Sequence, residues 1–251
     1  MDRQPKVKTA TQAARDAWHT DAVPLPYLDF LAESAAELAR VLAGADLQTA
    51  VPACPGWTLA ELGEHVIEMH RWALSRVIGA EAPALPSDLT RAEQLSRGAA
   101  QLNRALREHA WDEPCEAIYP PDIVGTWARR QALETALHAW DATDAVGHAT
   151  EIDPALAADG IAEVANDMYP RQVRLGRQTP LEAAVEFELN DVGARVTLLG
   201  ASGASAAATL VGEASAILLV LWGRRPLDAT TIEVRGDPTA VRALLNAKIV
   251  P

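Results

Sequence analysis

The apolar residues of this chain change their spacing once, and that change limits what it can fold into more than any other feature. Up to about residue 168 they recur every three or four positions. Between Tyr27 and Ala43, residues Leu28, Leu31, Ala35, Leu38 and Leu42 share one stripe, as an amphipathic helix requires, and Gly44 suits the position just past its end. Thr58 and Glu61 form a T-x-x-E capping box, which satisfies two orphan amides at a helix start. In the helix they open, Leu62, His65, Val66, Met69 and Ala73 fall on one face. Thr90 and Glu93 repeat the device, and that helix runs to about Ala110 with Leu95, Leu102 and Leu106 inward. A fourth helix spans about Thr126 to Val146 and stops at Gly147. The stretches VPACPGW (51–57) and DEPCEAIYPPDIVG (112–125) read as loops from their prolines and glycines. Four helices so connected predict a four-helix bundle, with a fifth, from about Pro154 to Met168, leading onward.

From Val185 the period is two. Val185, Phe187 and Leu189 alternate with glutamates, the pattern of a half-exposed strand. NDVG is a turn, ARVTLLG the returning strand, ATLVG a short strand, EASAILLVLWG a buried helix and TIEVRG another strand. Asp237-Pro238 gives an N-cap followed by proline at the first helical position of a last helix. The Gly/Ser/Ala stretch GASGAS lacks the strand–turn–helix setting of a phosphate loop and reads as a flexible turn. The fold class is therefore α + α/β, an N-terminal four-helix bundle followed by a small C-terminal α+β domain. The division falls near residues 170–182, giving an arm at 1–26, a bundle at 27–172 and the α/β domain at 173–251.

Composition removes several functions. With a net charge of -12, the chain lacks the concentrated Lys/Arg face that nucleic acid requires. The longest apolar run, Ala214 to Trp222, is far below the ~20 residues of a membrane-spanning helix. The basic N-terminal arm has no apolar core of a secretion signal. Two cysteines, Cys54 and Cys115, make no disulfide framework, and a reducing cytoplasm is the expected setting. Nothing in the sequence specifies an oligomeric state.

The chemistry concentrates in ETALH. Glu134 and His138 stand four apart, which stacks a carboxylate and an imidazole on one helix face. The spacing serves a shared cation or an ordinary ion pair, and a third ligand decides between them. His65 is the candidate, because it lies on the face of Leu62, Val66 and Met69 and points into the bundle. Two histidines, one glutamate and an open position form the pattern of a catalytic zinc site. His19, His70, His109 and His148 read as surface residues. Glu61, Glu64 and Glu68 surround His65, which raises a dinuclear carboxylate site. Bundles of that kind use Glu-x-x-His, and neither His65 nor His138 has a glutamate three residues before it, so one metal is favoured.

These residues carry a family resemblance. VPACPGWTLAELGEHVIEMHRW resembles the first signature of the mycothiol-dependent maleylpyruvate isomerase family, whose bundle is DinB-like, with its metal-binding histidine at His65. RRQALETALHAWDA resembles the second signature, with its ligands at Glu134 and His138. The family commonly has a histidine just before that glutamate, where this chain has Leu133, a position outside the three ligands. VGEASAILLVLWGRRPLDATTIEVRGDPTAV resembles the family's sterol-carrier-protein-like C-terminal module. The three signatures stand in the family's order across residues 27 to 247.

The resemblance implies a divalent metal, zinc by preference, and mycothiol as thiol cosubstrate. A metal-bound thiol is deprotonated, and the thiolate is the nucleophile. In the isomerases it adds to a cis double bond, which then rotates and eliminates to trans. Relatives would pass the same thiolate to an electrophilic metabolite. The expected partners are thus a low-molecular-weight thiol and an unsaturated acid or other small electrophile. The arginine of the family's G-R pair, implicated in catalysis, falls at Arg224. The residues alone also allow a surface arginine at a helix C-terminus. Cys54 reads as structural. Trp57, Trp72, Trp127 and Trp140 lie near the two ligand helices, Trp57 and Trp140 by preference as core, and Asp141 either orients a histidine or the opposite domain or caps the surface. Two other functions compete, a non-enzymatic small-molecule binding protein and a hydrolase with metal-activated water.

Overall fold

A computed structural model describes residues 25–201 and 205–251. The expected N-terminal arm therefore lies outside the described residues except for 25 and 26, and the expected GASGAS turn lies partly outside them. The first helix, α1 (Tyr27–Gly44), includes the glycine expected beyond its end. Helix α2 (Leu59–Ile78) and helix α3 (Arg91–Glu108) each begin with a complete capping box, Thr58 with Glu61 and Thr90 with Glu93. Helix α4 (Val124–Ala145) follows the proline loop and ends before Gly147, whose φ of 75° is the left-handed conformation glycine tolerates.

These helices form a ring in which α1 packs on α3 and α4, and α2 packs on the same two. Consecutive helices α1 and α2 therefore face each other across the core. Helix α4 meets α1, α2 and the elements that follow, so most of its residues are buried, polar ones included. Among the described residues, no helix is long and apolar enough to cross a membrane.

The fifth helix, α5 (Pro154–Glu163), runs through one π-helical turn, Val164–Met168, into α6 (Tyr169–Arg174). It packs on α4 and more closely on the later helix α7 (Ala214–Leu221). Gly160 permits this, because a Cβ there would stand 3.0 Å from both Leu133 of α4 and Leu218 of α7. Residues 175–184 contain no helix or strand. The sheet that follows is ordered β2-β1-β3-β4, from β1 (Val185–Leu189), β2 (Ala194–Leu198), β3 (Ala208–Gly212) and β4 (Glu233–Gly236). Strands β1 and β3 are parallel, and both edge strands are antiparallel to their neighbours. The closing helix, α8 (Pro238–Asn246), carries its Asp237 cap and packs on β1 and β3.

His70 departs from the sequence reading. It is fully buried rather than on the surface, because α2 is enclosed by both α3 and α4. Its Nε2 lies 2.9 Å from Thr135 Oγ1, whose hydroxyl donates to the Gln131 carbonyl, so His70 donates to Thr135. Burial pushes its pKa down to about 4, and the ring is neutral. The unfolded ring takes up a proton near pH 6.5 and the folded one only near 4, so the unfolded state binds more protons in between. Stability is then lost as pH falls through that window, by about 3 kcal/mol for a shift of this size. Thermal melts from about pH 7 to 4 are expected to fall less steeply for His70→Gln than for the wild type, and parallel curves would refute this.

Candidate metal centre

The capping box fixes where α2 starts, and seven residues later His65 faces α4. On α4, Glu134 and His138 stand one turn apart on the face that meets it. The three side chains converge. His65 Nε2 lies 3.2 Å and His138 Nε2 3.3 Å from the same oxygen, Glu134 Oε1. One ligand atom from each lies within 4.8 Å of the other two. Ligands about 2.0–2.1 Å from a tetrahedral ion stand about 3.3 Å apart, so the donor set and its spacing fit one zinc-like cation. The second carboxylate oxygen is taken, because Arg130 donates to Glu134 Oε2, and this leaves Oε1 as a single ligand atom. The nearby glutamates are not drawn in. Glu61 is occupied in its capping box, Glu64 reaches Arg91 at 3.5 Å, and Glu68 is exposed.

Asp141, one turn beyond His138, is completely buried. Its Oδ2 lies 2.9 Å from His138 Nδ1, which fixes a proton there and aims Nε2 at Glu134. The same carboxylate accepts two bonds from Arg224, Nε to Oδ1 at 3.0 Å and Nη2 to Oδ2 at 2.9 Å. Arg224 therefore faces the site from the loop after α7. Its remaining nitrogen, Nη1, donates to the Trp222 carbonyl. Cys54 is more than a loop residue, since its Sγ lies 3.5 Å from Asp141 Oδ2 and 4.0 Å from Arg224 Nη2.

Burial disfavours each of these charges, but pairing outweighs it. The Arg130 guanidinium and hydrogen bonds from His138 and His65 hold Glu134 well below the usual carboxylate range. Hydrogen bonds to Asp141, Cys54 and Glu134 hold His138 well above the usual imidazole range. His138 and Arg224 lower Asp141. Without a metal, these contacts favour the protonated form of the His138 ring.

Around this centre lies a cavity of about 500 Å³. Trp57, expected as core, walls it, with its ring 5.0 Å from His65 and 6.4 Å from His138. Trp72 also lines it and meets the buried Trp127 edge to face at 4.8 Å. Trp140 is core, as expected. The sequence reading missed Arg130, Gln131 and Trp222. Gln131, Glu134 and His138 stand at i, i+3 and i+7 on α4, a spacing that could have flagged Gln131.

Two expectations follow. A metal must displace the Nε2 proton of His138, so its affinity should rise with pH by roughly tenfold per unit through neutrality, with proton release. Calorimetry in buffers of different ionisation heat reads this, and pH-independent affinity would refute it. Asp141→Asn, which weakens the hold on the His138 tautomer, should cost about 10- to 100-fold in metal affinity, measured by competition with a chromophoric chelator.

Comparison with known proteins identifies the two domains and the fold. Residues 28–143 match the family model of the mycothiol maleylpyruvate isomerase N-terminal domain. Residues 155–243 match the MDMPI C-terminal domain. The fold is that of the crystal structure of the mycothiol-dependent maleylpyruvate isomerase, with a TM-score of 0.55 and 17% identity over 86% of this chain and 95% of that one. A histidine-to-alanine mutant of that enzyme matches equally, with a TM-score of 0.55 and 18% identity over 84% and 93% of the two chains. Two uncharacterized proteins from two strains of Mycobacterium tuberculosis are each 30% identical over 116 residues. That match covers 43% of this chain and 60% of each relative, so the chain spans less than two thirds of their length.

Proposed function

The chain belongs to the mycothiol maleylpyruvate isomerase family, and on that premise we propose that it is a metal- and mycothiol-dependent enzyme. The observation that carries this reading is the convergence of His65, Glu134 and His138 on one point of a cavity that Arg224 also faces. His65 Nε2, Glu134 Oε1 and His138 Nε2 would hold a divalent ion, zinc by preference. Such an ion, when bound, lowers the pKa of a coordinated thiol so that the thiolate is the bound form.

The protein's own groups supply the rest. Asp141 keeps a proton on His138 Nδ1, so that Nε2 presents its lone pair. Arg130 holds one oxygen of Glu134 and leaves the other to the site. Trp57 and Trp72 form an apolar wall that limits water, which would otherwise compete for the open position. Arg224 is anchored on Asp141; beyond its bonds to Asp141 and Trp222, one N–H on Nη1 has no partner and one on Nη2 meets only the Cys54 sulfur at 4.0 Å. These can hold a substrate carboxylate or the oxyanion that forms when a thiolate adds to a conjugated double bond. The favoured reaction is cis–trans isomerisation of a maleylpyruvate-like diacid. The same arrangement serves transfer of the thiol to another electrophile, and the products separate the two.

The test is incubation of the metal-loaded protein with mycothiol and a panel of unsaturated diacids and electrophiles, read by mass spectrometry. Trans product with thiol returned is expected, and a stable thioether marks transfer. Turnover of amides or esters without thiol would replace the reading with a hydrolase, and ligand binding without any turnover would replace it with a binding protein. Alanine at His65, Glu134 and His138 together should abolish metal uptake, and full occupancy in that variant would sink the site. Arg224→Met should retain metal and lose roughly 100-fold or more in kcat/KM.

A further inference from the structure

Three arginines stand together beside the metal-site cavity with no carboxylate partner among the described residues. Arg171 and Arg174 lie in the last turn of α6, and Arg177 follows three residues later. The arginines inside the cavity are all answered, Arg130 by Glu134 and Glu163, and Arg224 by Asp141. Asp167, which lies in the field of Arg174, is already bound to Arg129 at 2.7 Å. Arg174 and Arg177 are exposed, and Arg171 is half-buried. Burial, and then the charges of Arg177 and Arg174, push the Arg171 pKa down, so the three repel one another. The negative end of a helix favours cations in its last turn, but Arg177 lies beyond that turn.

Two contacts place the group at the mouth of the cavity. Met168 lines the cavity, and Arg171 follows it by three residues on the same continuous helix. Arg171 Nε donates at 2.9 Å to the carbonyl of Ile118, another lining residue. Its Nη1 and Nη2 have no partner among the described residues. The loop that carries Arg177 meets the 248–251 segment, where the Lys248 amide donates to Gln178 Oε1 at 2.8 Å. Val250 and Pro251 of that segment line the cavity. Arg171 is thus tied to one wall and Arg177 adjoins another, and exposure puts Arg174 and Arg177 on the solvent side of both.

A chain of net charge -12 repels an anion at long range, whereas a local patch of one sign concentrates its counter-ion and raises capture by roughly 10- to 1,000-fold. A guanidinium also offers a carboxylate two parallel N–H bonds, and the free Nη1 and Nη2 of Arg171 present such a pair. We propose that Arg171, Arg174 and Arg177 form a cationic rim that captures a carboxylate-bearing electrophile at the mouth of the cavity and so favours it over an uncharged one. This rests on the reading of the site as one that joins a thiol to an unsaturated acid. It goes beyond that reading by naming residues that select the acid before it reaches the metal.

The test combines Arg174→Gln with Arg177→Gln, which alters exposed side chains and leaves the Arg171 bond to Ile118 in place. On the metal-loaded full chain with mycothiol, kcat/KM is measured for maleate and for its dimethyl ester. At about 20 mM salt the preference for maleate over the ester should fall by about tenfold in the double variant, through KM rather than kcat. At about 200 mM salt the two proteins should converge, because exposed charges are screened. Calorimetry of maleate binding to the metal-loaded chain without thiol gives a second readout. Wild type should bind several-fold more tightly than the double variant at low salt and lose that advantage at high salt. An unchanged preference, or equal maleate affinity in the two proteins, overturns the rim and leaves the thiol reading standing. Absence of turnover with any electrophile overturns the thiol reading, and the maleate affinities then decide the rim by themselves.

Discussion

A single buried carboxylate ties this molecule together. Asp141 has no exposure to solvent, yet it carries a charge that His138 and Arg224 share. Taking an ion pair out of water costs several kcal/mol per ion, and stranding one partner costs about 3–5 kcal/mol. The last turns of α4 and the loop after α7 are therefore coupled, because neither can move away without leaving a charge unpaired in the interior. The contact that orients a metal-ligating imidazole is the same contact that brings the C-terminal part of the chain to the site.

A second set of charges, partly to fully buried, sits on the other side of Glu134. Asp159, Glu163 and Asp167 follow at intervals of four along α5 and the π-helical turn. Arg129 pairs with Asp159 at 2.8 Å and Asp167 at 2.7 Å. Arg130 bridges Glu163 and Glu134, and Tyr119 donates to Glu163. Glu134 is thus the end of a chain of paired charges, buried at Arg130 and Glu163, running from the proline loop through α5 to the centre. Such networks hold a ligand in one rotamer more firmly than a single contact would. They also explain why one carboxylate oxygen, and not two, faces the histidines.

Between these two networks the cavity wall is mostly aromatic and apolar. Both arginines beside it are neutralised by protein carboxylates, so the pocket is less cationic than its lining residues suggest.

Much of this arrangement is legible in the order of the amino acids. The capping boxes at Thr58 and Thr90, the helical stripes, the switch to alternation at Val185 and the Asp237-Pro238 start are local features, decided within a turn or two of chain. The stacking of Glu134 over His138 is local too, and the face shared by His65 and Leu62 tells which way that imidazole points. What the sequence does not disclose is non-local. His70, Arg130, Gln131 and Asp141 are polar residues that a solvated helix face would also carry. Only the packing of α2 against α3 and α4, and of α4 against the rest of the bundle and α5, puts them inside. Trp222 ends an apolar run that would serve equally as core, and it becomes a cavity wall because α7 docks beside α5. The sequence by itself determined the elements and one face of the site. The tertiary structure decided which polar groups lost their water, and with it which of them had to pair with one another.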